Sequence, residues 1–168
     1  MSREAPIPSD IRAGPNIRVA VAAARFNGDI VDQLLAGCRQ RLGELGLTPN
    51  RIVVHQVPGA FELPLAAQTL ARTGRFAAVI CLGAVIRGQT PHFDYVAGQC
   101  AAGVARVSLD ENLPVIFGVL TTDTRKQALD RTGGSHGHVG RRAADAAVEM
   151  IAVFESIKRD TPAPRRRR

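Results

Sequence analysis

The stretch of sequence that decides the fold is AAVICLGAV, residues 77–85. It consists of small, β-branched and other apolar side chains, and no polar residue alternates with them. A run of this kind is typical of a strand covered on both faces, as in a parallel sheet between two layers of helices. Working outward in both directions, further strands are predicted over residues 17–24, 51–57 and 115–120.

Helical spacing of apolar residues fills the segments between these strands. Helices are predicted over residues 30–45, 62–73, 96–107 and 143–154. Thr124 and Gln127 form a capping box that opens one more helix, which a glycine-rich break at residues 133–140 interrupts. Alternation of strand and helix over about four cycles implies right-handed crossovers. The sequence therefore predicts a three-layer α/β fold whose four-stranded parallel sheet is flanked by helices.

Length and composition fit one domain: the chain has 168 residues, of which 45% are hydrophobic and 22% charged. We expect an extended N-terminal arm over residues 1–16, the folded domain over residues 17–158, and a basic disordered tail over residues 159–168. No apolar run reaches the roughly 18 residues of a membrane span, and the first residues lack the layout of a secretory signal. A cytoplasmic location and no membrane partner are expected.

The net charge of +7 is concentrated in the four arginines at residues 165–168. Such a run binds nucleic acid or an anionic partner, or it is simply a solvated tail. The chain has no Trp and only 4% aromatic residues, so it lacks a stacking platform for bases. Nucleic-acid binding is therefore disfavoured. The odd number of cysteines without CxxC spacing argues against zinc and disulfides, and predicts buried reduced thiols at Cys38 and Cys81.

Candidate functional residues follow the predicted strands, because ligands of an open parallel sheet bind at the carboxyl ends of its strands. Phe26 follows the first strand, where its ring either stacks on a flat ligand or packs at the end of the core. The missing GxGxxG there excludes the dinucleotide fingerprint. Glu62 follows the second strand in the rigid turn PGAFELP, residues 58–64. Its carboxylate either interacts favourably with the positive N-terminal end of the helix dipole or accepts hydrogen bonds from a polyhydroxyl substrate.

The third strand leads into GAVIRGQTPH, residues 83–92, which departs from a P-loop because Gln89 stands where the Lys is needed. A nucleotide hydrolase is excluded, but backbone N–H groups and the Thr90 hydroxyl suit a single phosphate. His92 follows directly and is either structural or a proton shuttle near neutral pH. Arg131 either interacts favourably with the negative C-terminal end of a helix dipole or binds a phosphate through two hydrogen bonds.

The sequence resembles the lumazine synthase family in four segments: FN at 26–27, PGAFELP at 58–64, LGAVIRGQTPHFDYV at 82–96 and PVIFGVLTTDT at 114–124. QALDR at 127–131 agrees, and the resemblance spans roughly residues 16 to 155. It implies a flavodoxin-like fold and a transferase of riboflavin biosynthesis that uses no metal or organic cofactor. The implied reaction joins 5-amino-6-(ribitylamino)pyrimidine-2,4-dione to 3,4-dihydroxy-2-butanone 4-phosphate, giving 6,7-dimethyl-8-ribityllumazine, phosphate and water.

The resemblance also implies roles for residues of this sequence. Phe26 would stack on the pyrimidinedione, His92 would act as general acid and base, and Phe117 would close the pocket from a neighbouring subunit. The other residues fall into two groups: the pyrimidinedione and its ribityl chain would contact Ala60, Phe61, Glu62, Ala84, Val85 and Ile86, and the butanone phosphate would contact Gln89, Thr90 and Arg131.

The sequence departs from the family pattern in the glycine-rich break. Relatives often carry a Lys at the position of Val139, and Arg141 is the residue here that could compensate. His136 and His138 are expected to face solvent. The resemblance implies a homo-oligomer that is at least a pentamer; in the family a short connection between the last two helices, as here, favours a 60-subunit icosahedral shell, with riboflavin synthase as a candidate enclosed partner. A non-catalytic binder of lumazine or flavin and a shell-forming structural protein remain as alternatives.

Overall fold

The computed structural model describes residues 12–160, in which four main strands alternate with helices. The order is β1 (Val19–Ala24), α1 (Gly28–Glu44), β2 (Ile52–Val57), α2 (Leu63–Arg72), β3 (Ala78–Ile86), α3 (His92–Asp110) and β4 (Val115–Thr122). The described chain continues through α4 (Arg125–Leu129), β5 (Thr132–Gly134), β6 (Gly137–His138) and α5 (Val139–Asp160). Short 3-10 turns occupy Pro49–Arg51 and Ala60–Glu62.

The four main strands form one parallel sheet in the order β2-β1-β3-β4. Strand β3 pairs on both sides, and every residue from Ala78 to Val85 is buried. This burial on both faces explains why the sequence of β3 shows no polar alternation. The predicted fold class, a four-stranded parallel sheet flanked by helices, is confirmed.

Successive residues of β3 pack into two cores on opposite faces of the sheet. Ile80 and Leu82 pack in the core formed with α1 and α5, whereas Val79 and Cys81 pack in the core formed with α2 and α3. Burying an aliphatic side chain of this size contributes roughly 1.5–3 kcal/mol. The cysteines are free and buried, as predicted, and burial raises the pKa of the Cys38 and Cys81 thiols to about 12.

Ion pairs fasten α1 to α5 at one end of their contact. Arg41 donates from Nε to Oδ1 of the buried Asp145 at 2.7 Å. Arg141 donates to both carboxylate oxygens of Glu44, at 3.0 and 2.7 Å, and Arg41 donates to Glu44 at 3.0 Å. The hydrogen bonds from Arg141 and then Arg41 lower the pKa of Glu44 to about 2. The carboxylate of Glu44 is therefore ionised throughout the neutral range.

Two segments differ from the predictions for identifiable reasons, and one local prediction is confirmed. Helix α3 begins at His92 rather than at residue 96, because Pro91 stands at its N-cap, whereas the regular apolar spacing in the sequence begins only at Val96, one turn later. The glycine-rich break forms the β5–β6 hairpin. The predicted capping box is confirmed, since Gln127 N donates to Thr124 Oγ1 and Thr124 N donates to Gln127 Oε1.

The predicted arm and tail lie mostly outside the described residues. Of the arm, only residues 12–16 are described, and Ala13 N donates to Leu45 O at 2.9 Å. Helix α5 continues to Asp160, two residues into the range predicted as tail, and the Arg165–Arg168 run lies outside the described residues. Among the helices of residues 12–160, none has the length and apolarity needed to cross a membrane.

Candidate active site

A cavity of about 580 Å³ opens at the carboxyl ends of β1, β2 and β3, on the side of the sheet covered by α2 and α3. The segments that line it are the ones that follow the strands, as the topology of an open parallel sheet predicts. Its walls are formed by Phe26, Gly59, Ala60, Phe61, Glu62, Ala84, Val85, Ile86, Gly88, Thr90, His92, Phe93, Tyr95 and Val96. Segments far apart in sequence thus meet around one mostly apolar space.

The turn after β1 presents the ring of Phe26 to the cavity. The Phe26 side chain is 71% exposed, so it does not pack at the end of the core. The next residue, Asn27, has a φ of 55° in the left-handed region, which Asn tolerates better than most residues. Its side-chain amide donates to the carbonyl oxygen of Ala84 at 2.8 Å. Asn27 thereby ties the β1 turn to the end of β3 and fixes the direction of the Phe26 ring.

The turn after β2 places Phe61 and Glu62 on the opposite wall. Residues 60–62 form a 3-10 turn, and Pro64 stands in the first turn of α2. Glu62 makes no side-chain capping hydrogen bond at α2. A Cβ at Gly59 would lie 3.2 Å from Oε2 of Glu62, so the carboxylate folds over this glycine. The Glu62 side chain is exposed, and Glu62 is one of the residues that line the cavity.

The loop between β3 and α3 forms the polar end of the cavity. Gly88 and Thr90 line it, and His92 occupies the first turn of α3. The N-terminus of a 19-residue helix carries free N–H groups and a partial positive charge, which favour an anion beside it. Chemically, this end suits a phosphate, and the imidazole beside it suits proton transfer.

Three of the residues proposed from the sequence do not line this cavity in a single chain. Gln89 is exposed in the loop between Gly88 and Thr90. Phe117 lies on β4, the edge strand of the sheet, and is 39% exposed. Arg131 is half-buried and donates from Nη1 to the carbonyl oxygen of Gln127 at 2.8 Å. This hydrogen bond satisfies a carbonyl oxygen near the C-terminal end of α4.

Two expectations about the glycine-rich break are corrected by the structure. Arg141 does not stand free to replace the missing Lys, because both of its terminal nitrogens donate to Glu44. His138 does not face solvent: its Nδ1 is buried without a hydrogen-bond partner, and its ring lies directly over Gly37 of α1. His136 is exposed, as expected.

Sequence reasoning missed several residues that the cavity brings into the site. Tyr95 and Val96 lie one turn beyond His92, and Phe93 follows His92 directly. The spacing 92, 95, 96 is helical, so a helix started at Pro91 would have placed these side chains on the same face as His92. The role of Asn27 could be suspected from its type, since Asn is enriched at left-handed positions.

Comparison with known proteins supplies the deciding observation. The sequence model of the family "6,7-dimethyl-8-ribityllumazine synthase" matches residues 16–155. The chain belongs to the 6,7-dimethyl-8-ribityllumazine synthase family. The match covers every strand and all but the last few residues of α5, and it confirms the family inferred from the sequence.

Named relatives agree with this lumazine synthase assignment. A 6,7-dimethyl-8-ribityllumazine synthase of Protochlamydia amoebophila (strain UWE25) is 50% identical over 140 residues, covering 83% of this chain and 81% of the relative. Synthases of Edwardsiella ictaluri (strain 93-146) and Yersinia pestis (strain Pestoides F) are each 50% identical over 147 residues, covering 87% of this chain and 94% of the relative. The predicted activity, a transferase of lumazine formation in riboflavin biosynthesis, is confirmed.

Proposed function

We propose that the cavity at the ends of β1, β2 and β3 is where this lumazine synthase joins its two substrates. One substrate is 5-amino-6-(ribitylamino)pyrimidine-2,4-dione and the other is 3,4-dihydroxy-2-butanone 4-phosphate. The observation that carries the proposal is that an exposed aromatic wall, a loop suited to phosphate and an imidazole share one space of about 580 Å³. A cavity of this size accommodates a small heterocycle beside a phosphorylated four-carbon sugar.

The apolar half of the cavity suits the pyrimidinedione. In this proposal Phe26 stacks on the flat ring, and the main chain of Ala84, Val85 and Ile86 at the end of β3 hydrogen-bonds its edge. Stacking on an exposed phenyl ring gives orientation as well as affinity. Ala60, Phe61 and Glu62 contact the ribityl chain, with the carboxylate of Glu62 accepting a hydrogen bond from a hydroxyl.

The polar half suits the butanone phosphate. Gln89, Thr90 and the free N–H groups at the start of α3 hold the phosphate oxygens, and Arg131 supplies a cation. Since Arg131 does not line the cavity of its own chain, we propose that it serves the cavity of a neighbouring subunit. Phe117 on the edge strand closes the same cavity from the same neighbour.

These placements lead to a mechanism in which orientation supplies much of the rate. The amine of the pyrimidinedione attacks the ketone, and loss of water gives an imine. Elimination then expels phosphate, whose developing charge the helix N-terminus and Arg131 stabilise. The second amine of the pyrimidinedione then closes the ring, and a second water departs. His92 acts as general acid and base, because its imidazole accepts and donates the protons of these steps. Holding two reactive molecules in register converts a bimolecular reaction into an effectively unimolecular one.

The proposed assembly is a pentamer that closes into a 60-subunit shell. Large aromatic side chains stand exposed around the cavity and on the edge strand, among them Phe26 at 71%, Tyr95 at 69% and Phe117 at 39%. Clustered exposed aromatics mark interaction surfaces. A cytoplasmic location belongs to the same proposal, since free buried thiols suit a reducing compartment. An enclosed riboflavin synthase would then act on the product.

The proposed site is tested by mixing the purified protein with both substrates and following the fluorescence of the lumazine. Wild-type protein is expected to turn over, Phe26→Ala to raise the KM for the pyrimidinedione, and Leu109→Ala, a matched change of an exposed apolar residue outside the cavity, to behave as wild type. An unchanged KM for the pyrimidinedione in Phe26→Ala would place the site elsewhere. Sedimentation distinguishes a pentamer of about 90 kDa from a shell of about 1.1 MDa, about 5 and about 60 copies of the 17.9 kDa chain.

A further inference from the structure

Arg87 occupies a position that the site described above does not use. It follows directly after β3, at the start of the loop that carries Gly88, Thr90 and His92. Its backbone N–H donates to Thr122 O at 2.9 Å, which extends the pairing of β3 with β4 by one residue. Arg87 does not itself line the cavity, and its side chain is 43% exposed.

The Arg87 guanidinium is engaged on three sides. It donates from Nε to Asp123 Oδ1 at 3.0 Å, and from Nη1 and Nη2 to the two oxygens of Asp94 at 3.3 and 3.1 Å. Its Cζ lies 4.1 Å from the centre of the Phe93 ring, which lines the cavity. A planar fork is the one side chain that can make a bidentate carboxylate pair, a second carboxylate contact and a stacked aromatic contact together.

These contacts fix, from outside the cavity, the loop over residues 88–91 that is proposed to receive the phosphate. Asp94 and Phe93 belong to the first turn of α3, and Asp123 belongs to the turn between β4 and α4. The guanidinium therefore joins the two ends of the loop over residues 88–91 and fixes that loop against the neighbouring turn. Since His92 lies within the bridged segment, its position depends on the same contacts.

The charges of the cluster have a consequence for an anionic substrate. Asp94 and Asp123 are both more than 60% exposed and lie beside the loop proposed to receive the phosphate. Arg87 compensates one of these two negative charges and keeps both carboxylates hydrogen-bonded to its guanidinium. The hydrogen bonds that Arg87 donates to Asp94 and then to Asp123 raise the pKa of Arg87.

We propose that Arg87 is a positioning residue for the phosphate half of the site, an inference that rests on the proposed function. It holds the loop 88–91 and His92 in the geometry that accepts the butanone phosphate. Because exposed ion pairs contribute little to folding stability, the role of Arg87 lies in substrate affinity. Its loss is therefore expected to change phosphate binding while leaving the pyrimidinedione half unaffected.

The test compares Arg87→Met with Arg72→Met. Arg72 is likewise an exposed arginine in an ion pair, Nε to Glu111 Oε1 at 2.9 Å, between α2 and the end of α3 away from the cavity. We expect Arg87→Met to raise the KM for the butanone phosphate and the inhibition constant of inorganic phosphate by about tenfold, the equivalent of 1.4 kcal/mol. The KM for the pyrimidinedione should stay within about twofold of wild type, and Arg72→Met should change neither constant.

Two further variants separate positioning from simple charge balance. Arg87→Lys keeps the charge but loses the fork, so it should restore only part of the phosphate affinity. In the triple variant Arg87→Met, Asp94→Asn, Asp123→Asn the uncompensated carboxylates are gone. Positioning predicts that its KM for the butanone phosphate stays raised, whereas full recovery would show that charge alone was involved and would overturn the proposal.

Hydrogen exchange provides a readout that does not depend on turnover. In wild-type protein, inorganic phosphate should slow amide exchange over residues 88–94, and Arg87→Met should exchange faster there and lose the protection by phosphate. A wild type without turnover would contradict the proposed function, yet this protection would still test Arg87. Unchanged exchange together with unchanged phosphate constants in Arg87→Met would reject the positioning role.

Discussion

At the scale of single residues, the dipeptide Phe26-Asn27 shows how one turn serves both the sheet and the cavity. Asn27 takes the left-handed conformation and binds the carbonyl of Ala84, and this leaves Phe26 exposed toward the cavity. Both residue types suit their positions in the turn, and this much could be inferred from the sequence. That Phe26 lines the cavity rather than packing in the core became evident only from its exposure.

His92 is the residue whose substitution best separates orientation from acid–base catalysis. We expect His92→Ala to retain measurable turnover, with kcat reduced on the order of 10²-fold or less, the low end of what a general acid–base contributes. The fluorescence assay measures this directly, and His136→Ala, an exposed His outside the cavity, is the matched control. A folded His92→Ala enzyme with no detectable turnover would contradict a mechanism dominated by orientation.

Arg131 is expected to act on the phosphate substrate alone. Arg131→Ala should raise the KM for the butanone phosphate by about tenfold to a hundredfold, since a hydrogen bond to a charged group is worth about 1.5–3 kcal/mol, and change the KM for the pyrimidinedione little. Arg106→Ala, which removes an exposed ion pair with Asp110, serves as the control. Equal changes in both KM values would mean that Arg131 supports the fold at the end of α4.

At the scale of elements, the contact of α1 with α5 depends on a glycine. A Cβ at Gly140 would lie 2.0 Å from the carbonyl oxygen of Leu34, a backbone atom that cannot move aside. We expect Gly140→Ala to lower the free energy of unfolding by at least about 1–3 kcal/mol, as overpacking does. Gly43→Ala, in the same helix pair with no atom near its Cβ, should be neutral or stabilise by up to about 1 kcal/mol. Chemical denaturation at fixed protein concentration measures both, and equal stabilities would contradict the close approach.

The β5–β6 hairpin is expected to make stability depend on pH through His138. Burial, the positive charge of Arg141 and that of Arg142 lower the pKa of His138, and the Nδ1 atom is buried without a partner. The unfolded His binds a proton near pH 6.5, whereas the folded one binds it only at lower pH. Between these values the unfolded chain holds more protons, so acidification through this interval lowers the free energy of unfolding.

Denaturation at a series of pH values from 7.5 to about 5, near and below the ordinary His pKa, tests this dependence. Once the contributions of the other titrating groups are subtracted, His138→Gln should reduce the slope of the free energy of unfolding against pH. His136→Gln, at the exposed neighbouring position, should leave that slope unchanged. The Glu44 carboxylate, with a folded pKa of about 2, adds a slope of the same sign only toward the acid end of this series, where the unfolded group begins to bind protons, and it does so equally in both variants. An identical slope in wild type and His138→Gln would contradict the burial of this imidazole.

Across the whole molecule, the sequence predicted the parts of the fold that depend on burial and on local chemistry. The four main strands were placed by their apolar runs, and the capping box of Thr124 and Gln127 by its spacing. The start of α3 was missed because the regular apolar spacing begins only at Val96, one turn after His92, and the β5–β6 hairpin was missed because strands of two or three residues carry no periodic signal. Phe117 and Arg131 were assigned to the site only through the family resemblance, because their proposed contacts lie between subunits and no pattern within one chain indicates them.

The measurement that tests the proposed site most directly is a cryo-EM structure of the assembled protein with 6,7-dimethyl-8-ribityllumazine and inorganic phosphate bound. We expect the lumazine ring to stack on Phe26 and the phosphate to lie beside Thr90 and His92. Phe117 and Arg131 of an adjacent subunit should reach into the same cavity. An assembly in which residues 26, 92 and 131 point into separate regions, or in which the lumazine binds elsewhere, would contradict it.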